Sequence, residues 1–475
     1  MLKGLEISII NKSALDFIKR RLDAEYYKKE YLLLDEKIKE FGKVNLKEIN
    51  AILDCSAFYP SITEYYDFNG EGVPFIRVNE IKDGLLNISE STAFLPQQLL
   101  DDNKSTICIG YANDIIIAKG GNSLAKVGLL NSSYSKYAMS RDIILLRTST
   151  LKNYDRFFLW IFFHSKFGQA LLWRTASQTG QPHLTLPSIN EIFLPKANSF
   201  FVEKIKILYE RSVENKTLSK QKYSQAENLL LETLNLWNFQ PFTDAINVKS
   251  LKESFLNSGR LDAEYYQLKY ESYINLIKHN ELGFSKLENV CNLKDKNFNP
   301  KDEVHYKYIE LSNIGKSGDI TGNTFDLGKE LPSRARRLVN TGDVIISSIE
   351  GSLESCALVT EQYDKAICST GFYVINSNKI NSETLLVLFK SELMQNILKQ
   401  NCSGTILTAI NKNEFLSIPI PFIKNNIQDQ IATLVKESFT LKSESEKLLE
   451  TAKRAVEITV EENEDLAMSF INQNI

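Results

Sequence analysis

Arg260-Leu261-Asp262-Ala263-Glu264-Tyr265-Tyr266 repeats, letter for letter, Arg21-Leu22-Asp23-Ala24-Glu25-Tyr26-Tyr27. The two copies stand about half a chain apart in 475 residues. Tandem-array repeats return every ~20 to 50 residues, and this phrase returns once. It therefore marks a duplicated domain unit, and the chain reads as two copies of one plan.

Residues 1–42 read as a helical segment, with Leu15, Ile18, Leu22 and Tyr26 spaced for one face. Residues 43–198 change character. Short β-rich runs (Phe75 to Val78, Asp114 to Ala118, Asp142 to Leu146) alternate with Gly, Asn and Ser clusters. One apolar helix is expected within them, near Tyr154 to Trp173. Residues 199–240 then carry a long uninterrupted helix. Its seam is Val202, Ile205, Tyr209, Ser212, Lys216, Ser219, Tyr223, Ala226, Leu230 and Thr233, in alternating steps of three and four. Its length would be roughly 55 Å, and Pro241 ends it.

The plan then restarts. Residues 241–280 read as a helical junction holding the second heptapeptide. Residues 281–423 form a second β-rich globule. In it Tyr308 to Ser312 stands for Phe75 to Asn79, Gly342 to Ile346 for Asn113 to Ile117, and Ile418-Pro419 for Leu194-Pro195. Residues 424–475 hold a second long helix and a tail. Its seam is Ile431, Leu434, Ser438, Leu441, Ser445, Leu448, Ala452, Ala455 and Thr459, and its polar serines match those of the first helix. Two such helices are expected to pair antiparallel. The acidic stretch after Glu461 is expected to fray. The fold class is α+β: two duplicated mixed α/β domains in a pseudo-two-fold arrangement, separated by two long antiparallel coiled-coil helices.

Composition is that of a globular chain, with 43% apolar and 24% charged residues and a net charge of −3. Six cysteines include no C-x-x-C pair, which predicts free thiols in a reducing compartment. No run is apolar enough for a membrane span or a secretion signal, so no membrane partner and a cytoplasmic location are expected. The sequence holds no recognisable catalytic motif. Gly322 to Gly328-Lys329 has the wrong spacing for a phosphate loop, and Glu330 replaces the metal-binding hydroxyl. The four histidines share no motif, and there is no G-x-S-x-G elbow. The Asn/Asp-Pro-Pro-aromatic tetrad of base-amine methyltransferases is absent; Asn299-Pro300 is followed by Lys301. The chain is expected to bind and position rather than catalyse, with no cofactor or metal of its own.

The duplicated plan resembles the DNA-specificity subunit of type I restriction–modification systems. Four phrases carry the resemblance across nearly the whole chain: the repeated Leu-Asp-Ala-Glu-Tyr-Tyr; Gly72 to Ile81; the Thr179-Gly180 to Leu184 segment with its partner Ser403-Gly404-Thr405 to Leu407; and Ile427-Gln428-Asp429-Gln430-Ile431-Ala432. Residues 199–205 depart from the pattern, lacking the Gln-Ile form. The resemblance implies two target-recognition domains, 43–198 and 281–423, each reading half of a split double-stranded DNA sequence. It implies two methyltransferase (modification) subunits that bring S-adenosylmethionine, and restriction or translocase subunits that bring ATP and Mg²⁺. The helices would set the spacing, at most about 16 base pairs and nearer ~10. A specificity subunit of a related type II or phage-defence complex, and a non-DNA coiled-coil adaptor, are the alternatives.

Candidate DNA-binding residues follow from residue type and position. Arg334, Arg336 and Arg337 form a basic cluster whose forks suit phosphate or guanine. Lys119, Asn122, Ser123 and Lys126 lie on a Gly-rich loop after a strand, with Ser352 on its counterpart. Gln178, Thr179, Gln181 and His183 make a third loop, matched by Ser403 and Thr405; Arg77 and Asn79 complete the set. The repeated heptapeptide itself reads as a structural latch, with the recognition residing in the divergent stretches between its copies.

Overall fold

The computed structural model describes residues 7–12, 15, 21–58, 61–82, 84–176, 182–244, 246–404 and 408–475. The chain divides into two units, residues 1–213 with 445–475, and residues 214–444.

In the first unit the apolar runs become buried strands. Ile115–Ala118 and Ile143–Arg147 pair antiparallel at the centre of a six-stranded sheet. Their side chains are buried on both faces, which is why they read as continuous apolar runs rather than alternating ones. A four-stranded sheet pairs Val73–Ile76 in parallel with Tyr137–Met139. Lys43–Asn45 and Phe193–Pro195 close the unit as an antiparallel pair. The second unit repeats these three pairings, although its central pair sits in a four-stranded sheet rather than a six-stranded one. Val344–Ser347 and Phe372–Asn376 form the central antiparallel pair, His305–Ile309 lies parallel to Ile367–Ser369, and Phe284–Lys286 pairs with Pro419–Pro421.

The apolar stretch expected as one helix is two, Arg156–His164 and Lys166–Thr175. Ser165 makes the break: its hydroxyl donates to the Phe162 carbonyl and accepts from the Gly168 N–H, capping the second helix. Ser391 does the same between Ser382–Lys390 and Glu392–Gln400. Side-chain capping competes with helix continuation, and a periodicity count does not register that competition.

The long helices run over Ser199–Thr233 and Asn425–Glu461. In the first unit Ser212 Oγ lies 3.0 Å from Ser445 Oγ, and each hydroxyl also donates to the other's carbonyl, at 2.9 and 2.7 Å. In the second unit Ser219 and Ser438 hydroxyls are 3.2 Å apart, and Ser438 donates to the Ser219 carbonyl at 2.8 Å. Asn215 reaches Glu444 and Lys222 reaches Glu437, so the pairing is antiparallel. All four serines are buried, and their small size lets the backbones approach closely enough for hydroxyl-to-carbonyl bonds. Lys216, expected on the seam, is exposed. The Gln-Ile departure also has a structural reading. Gln428 accepts the Asn381 N–H at 2.9 Å and donates to the Ile423 carbonyl, fastening the start of its helix; the first helix instead opens on buried Phe201.

Three expectations need correction. The tail after Glu461 forms a helix, Glu464–Asn474, capped by Asn463. Ala467 and Ile471 are fully buried in the first unit's core, and Glu464 accepts the Asn198 N–H at 2.8 Å. Its four-residue apolar spacing outweighs the acidic composition. Among the described residues the N-terminal segment is α-helical only over Lys29–Phe41, and Leu22, expected on one helical face with Tyr26, lies outside that helix and is 71% exposed. Among the described residues the 241–280 junction is α-helical only at Phe255–Ser258 and Leu268–Lys278.

What replaces the expected helix around Leu22 is a self-bonded knot, identical in both copies. The Arg21 guanidinium forks onto Asp23 at 2.7 and 2.8 Å and lies over the Tyr26 ring, while Tyr27 Oη donates back to the Arg21 carbonyl. Arg260 forks onto Asp262 at 2.8 and 2.6 Å and lies over Tyr265, while Tyr266 Oη donates to the Arg260 carbonyl. The arginine fork holds the Asp23 and Asp262 carboxyls below the usual carboxylate range. Each knot therefore contributes stability at neutral pH that is lost as pH falls through the lowered carboxyl pKa.

Candidate nucleic-acid interface

In the first unit Lys119 follows the central strand. Its N–H donates to the Asp142 carbonyl and its carbonyl accepts the Leu184 N–H, both at 2.8 Å. Gly120 then bridges to His183. A Cβ on Gly120 would stand 2.1 Å from His183 Nδ1, so only glycine admits the imidazole here. The chain turns through Gly121–Ser123, and Ala125, at φ +64°, returns its N–H to the Ala118 carbonyl. Lys119, Asn122, Ser123 and His183 are thus drawn together on one strand-end loop and its return strand. The Asn122 and Lys126 side chains are exposed and have no hydrogen-bond partner among the described residues.

Asn79 and Lys126 line a cleft of about 320 Å³ with Lys82, Ser89 and Ser91. Lys82 was not legible as a candidate: it stands on a two-residue strand with no motif around it, and only the fold brings it beside Lys126. Arg77 lies nearby but faces inward. It donates to Glu80 Oε1 at 3.0 Å and to the Ser91 carbonyl at 2.8 Å, and Glu80, 3% exposed, also accepts the Arg77 N–H. Its guanidinium holds the Val78–Glu80 turn. Glu310 and Asn313 build the same turn in the second unit without an arginine.

The second unit has the same edge. The Ser348 carbonyl accepts the Ile410 N–H at 2.9 Å, Ile349 bridges to Ala409, and the chain turns through Glu350–Ser352. The Ser352 hydroxyl closes the loop from inside, 2.9 Å from Ser347 Oγ. Thr408 Oγ1 donates to Glu350. Ser403 is exposed on a short strand, Cys402–Ser403, paired with Ala409–Ile410. Arg334 is exposed and tied to this edge through two backbone bonds, Thr370 N–H to the Arg334 carbonyl and Ser348 N–H to the Gly371 carbonyl. Arg336 and Arg337 turn to another segment. Arg336 reaches Asn299 at 3.3 Å, and Arg337 reaches Asn297 at 2.7 Å and the Asp295 carbonyl. Gln178, Thr179, Gln181 and Thr405 lie outside the described residues.

Each unit therefore presents a polar loop and return strand held by backbone bonds to a rigid sheet, which suits contacts to base edges and phosphates. Residues 280–452 match the family model for the type I restriction modification DNA specificity domain. Over that stretch the chain is similar to a type I DNA-specificity domain. That match spans the second β-rich globule and most of the second long helix, and the first unit repeats the domain's strand plan. No curated protein matches the chain's sequence.

Among solved structures, this chain is similar to the type I restriction–modification S subunit from M. genitalium, at 14% identity over 90% of this chain and 95% of that one, TM-score 0.41. It is also similar to the HsdS subunit from Thermoanaerobacter tengcongensis, at 14% identity over 90% and 96%, TM-score 0.25. The type IIG restriction endonuclease BpuSI matches at 13% identity over 38% of this chain and 28% of that one, TM-score 0.30. Among the described residues no group of three or more His, Cys, Asp or Glu could hold a metal, and no helix is long and apolar enough to cross a membrane.

Proposed function

We propose that this chain is the DNA-specificity subunit of a restriction–modification complex, reading a bipartite double-stranded target with one edge of each unit. The observation that carries the reading is the duplication of a specificity-domain plan, with a polar loop at the same place in both copies and different side chains on each. Two readers linked in one chain bind a split target more tightly than either alone, because the second contact becomes intramolecular. Lys119, Asn122, Lys126, His183, Arg334 and Ser403, with Lys82 beside them, are the described residues best placed to meet DNA.

The chain itself supplies binding and placement. Two modification subunits bring S-adenosylmethionine and methylate the bound sequence. Restriction or translocase subunits bring ATP and Mg²⁺. The long helices fix the number of base pairs between half-sites. With a net charge of −3, phosphate neutralisation falls to local lysines and arginines and to the partners.

The test is binding of the chain, assembled with its methyltransferase subunits, to duplex DNA across a salt series. Sequence-selective affinity that falls by about tenfold or more between roughly 50 and 200 mM salt is expected. Affinity indifferent to both salt and sequence would identify an adaptor scaffold instead.

A further inference from the structure

We infer that the duplicated Arg-Leu-Asp-Ala-Glu-Tyr-Tyr knot sets the position of each recognition edge, with Arg21 and Arg260 as the positioning residues. The inference rests on the DNA-specificity reading and assigns the repeat a part in it. In the second unit a chain of direct hydrogen bonds leads from the knot to the edge. Arg260 Nη2 donates to the Cys402 carbonyl at 2.8 Å. Cys402 pairs with Ile410 across a two-residue ladder. The Ile410 N–H donates to the Ser348 carbonyl at 2.9 Å, at the root of the loop that faces outward. Arg260 is thus two pairings from the edge that carries Ser403 and the Ser348–Ser352 loop.

The first unit repeats the first link. Arg21 Nη1 and Nη2 both donate to the Ala176 carbonyl at 3.3 Å, with longer contacts to the Thr175 and Arg174 carbonyls. Ala176 caps the helix Lys166–Thr175, and on the return strand Leu184 is bonded to Lys119. A second strut runs the other way in each copy. Arg174 Nε donates to the Tyr26 carbonyl at 2.8 Å, and Gln400 Nε2 donates to the Tyr265 carbonyl at 3.0 Å. Different side chains make the same link from the same place. The contact between knot and helix end is kept while the residues that flank it differ, as expected if placement of the edge matters and its identity varies.

The chemistry explains why arginine stands at the head of the repeat. One planar guanidinium forks onto the aspartate, lies over a tyrosine and still has N–H groups for the carbonyl. A lysine in its place keeps the charge but offers no fork. Loss of the Asp262 carboxylate leaves the guanidinium without its anchor.

The experiment uses the full chain expressed with its methyltransferase subunits in cells, reading the methylated motif by genome-wide methylation sequencing. The unsubstituted chain defines the two half-sites. R260K is expected to relax base preference by roughly tenfold, the scale of one misplaced base contact, in one half-site only. R21K is expected to relax the other half-site by a similar factor. Where R260K does not accumulate, D262N gives the same half-specific relaxation. Unchanged preference at both half-sites, or equal loss at both from a single substitution, overturns the positioning role. A merely stabilising contact would lower the methylated fraction without changing which bases are preferred. If the unsubstituted chain yields no split motif at all, the DNA-specificity reading itself has failed, and that result is distinguishable from the others.

Discussion

Inserting four residues into each long helix, between Lys216 and Thr217 and between Lys442 and Ser443, is expected to lengthen the spacer of the recognised sequence by about 2 base pairs. Four residues add roughly 6 Å to an α-helix, and one base pair occupies ~3.4 Å of duplex. The insertion points lie between the two serine pairs, so each pair keeps its own local register. Ser212 and Ser445 keep their reciprocal hydroxyl-to-carbonyl bonds, and Ser438 keeps its bond to the Ser219 carbonyl, since both depend only on local register. Inserting in one helix alone would misalign the pairs, leave buried hydroxyls facing apolar side chains and cost stability instead. The methylated motif reports the outcome: both half-sites kept and the gap widened. An unchanged gap with full activity would show that the helices do not set the spacing.

The largest stability effect is expected at Trp160. It is 1% exposed, its indole N–H donates to the Gly84 carbonyl at 2.8 Å, and its ring meets Tyr209 edge-on at 5.3 Å. Trp160→Ala removes a large buried ring and leaves that carbonyl without its donor. A loss of about 3–5 kcal/mol is expected for the first unit. Hydrogen exchange measures it: amides of Ile115–Ala118 should exchange roughly 100-fold faster or more, while those of Val344–Ser347 stay as they were. Equal acceleration in both strands would mean that the two cores do not unfold separately.

Much of the fold was legible because duplication doubles the signal. Seven identical letters revealed the two-part plan, and the matched serines at 212, 219, 438 and 445 predicted a helix pair before any geometry was known. The buried strands announced themselves as runs such as Ile115-Ile116-Ile117, which need no partner to be recognised. Two of the misses share one cause, local bonding that periodicity does not encode, and the third is a buried apolar face under an acidic composition. Ser165 breaks a helix by capping it. Arg21 and Asp23 draw residues 21–27 into a knot in place of an α-helix. Ala467 and Ile471 bury a helix that looks too acidic to order.

The interface was legible in outline but not in detail. Glycine-rich loops after strands pointed to Lys119–Lys126 and to Ser348–Ser352. Sequence alone does not distinguish an arginine offered to solvent, such as Arg334, from Arg77, whose guanidinium holds an internal turn, or from Arg336 and Arg337, which bond the 295–299 segment. Lys82 joins Lys126 only through the sheet.

The most direct test of the central claim is methylation sequencing of a genome carrying this chain and its methyltransferase subunits, with and without the chain. A split motif that vanishes on deletion and returns on complementation is the predicted result. Methylation that persists unchanged without the chain would contradict it.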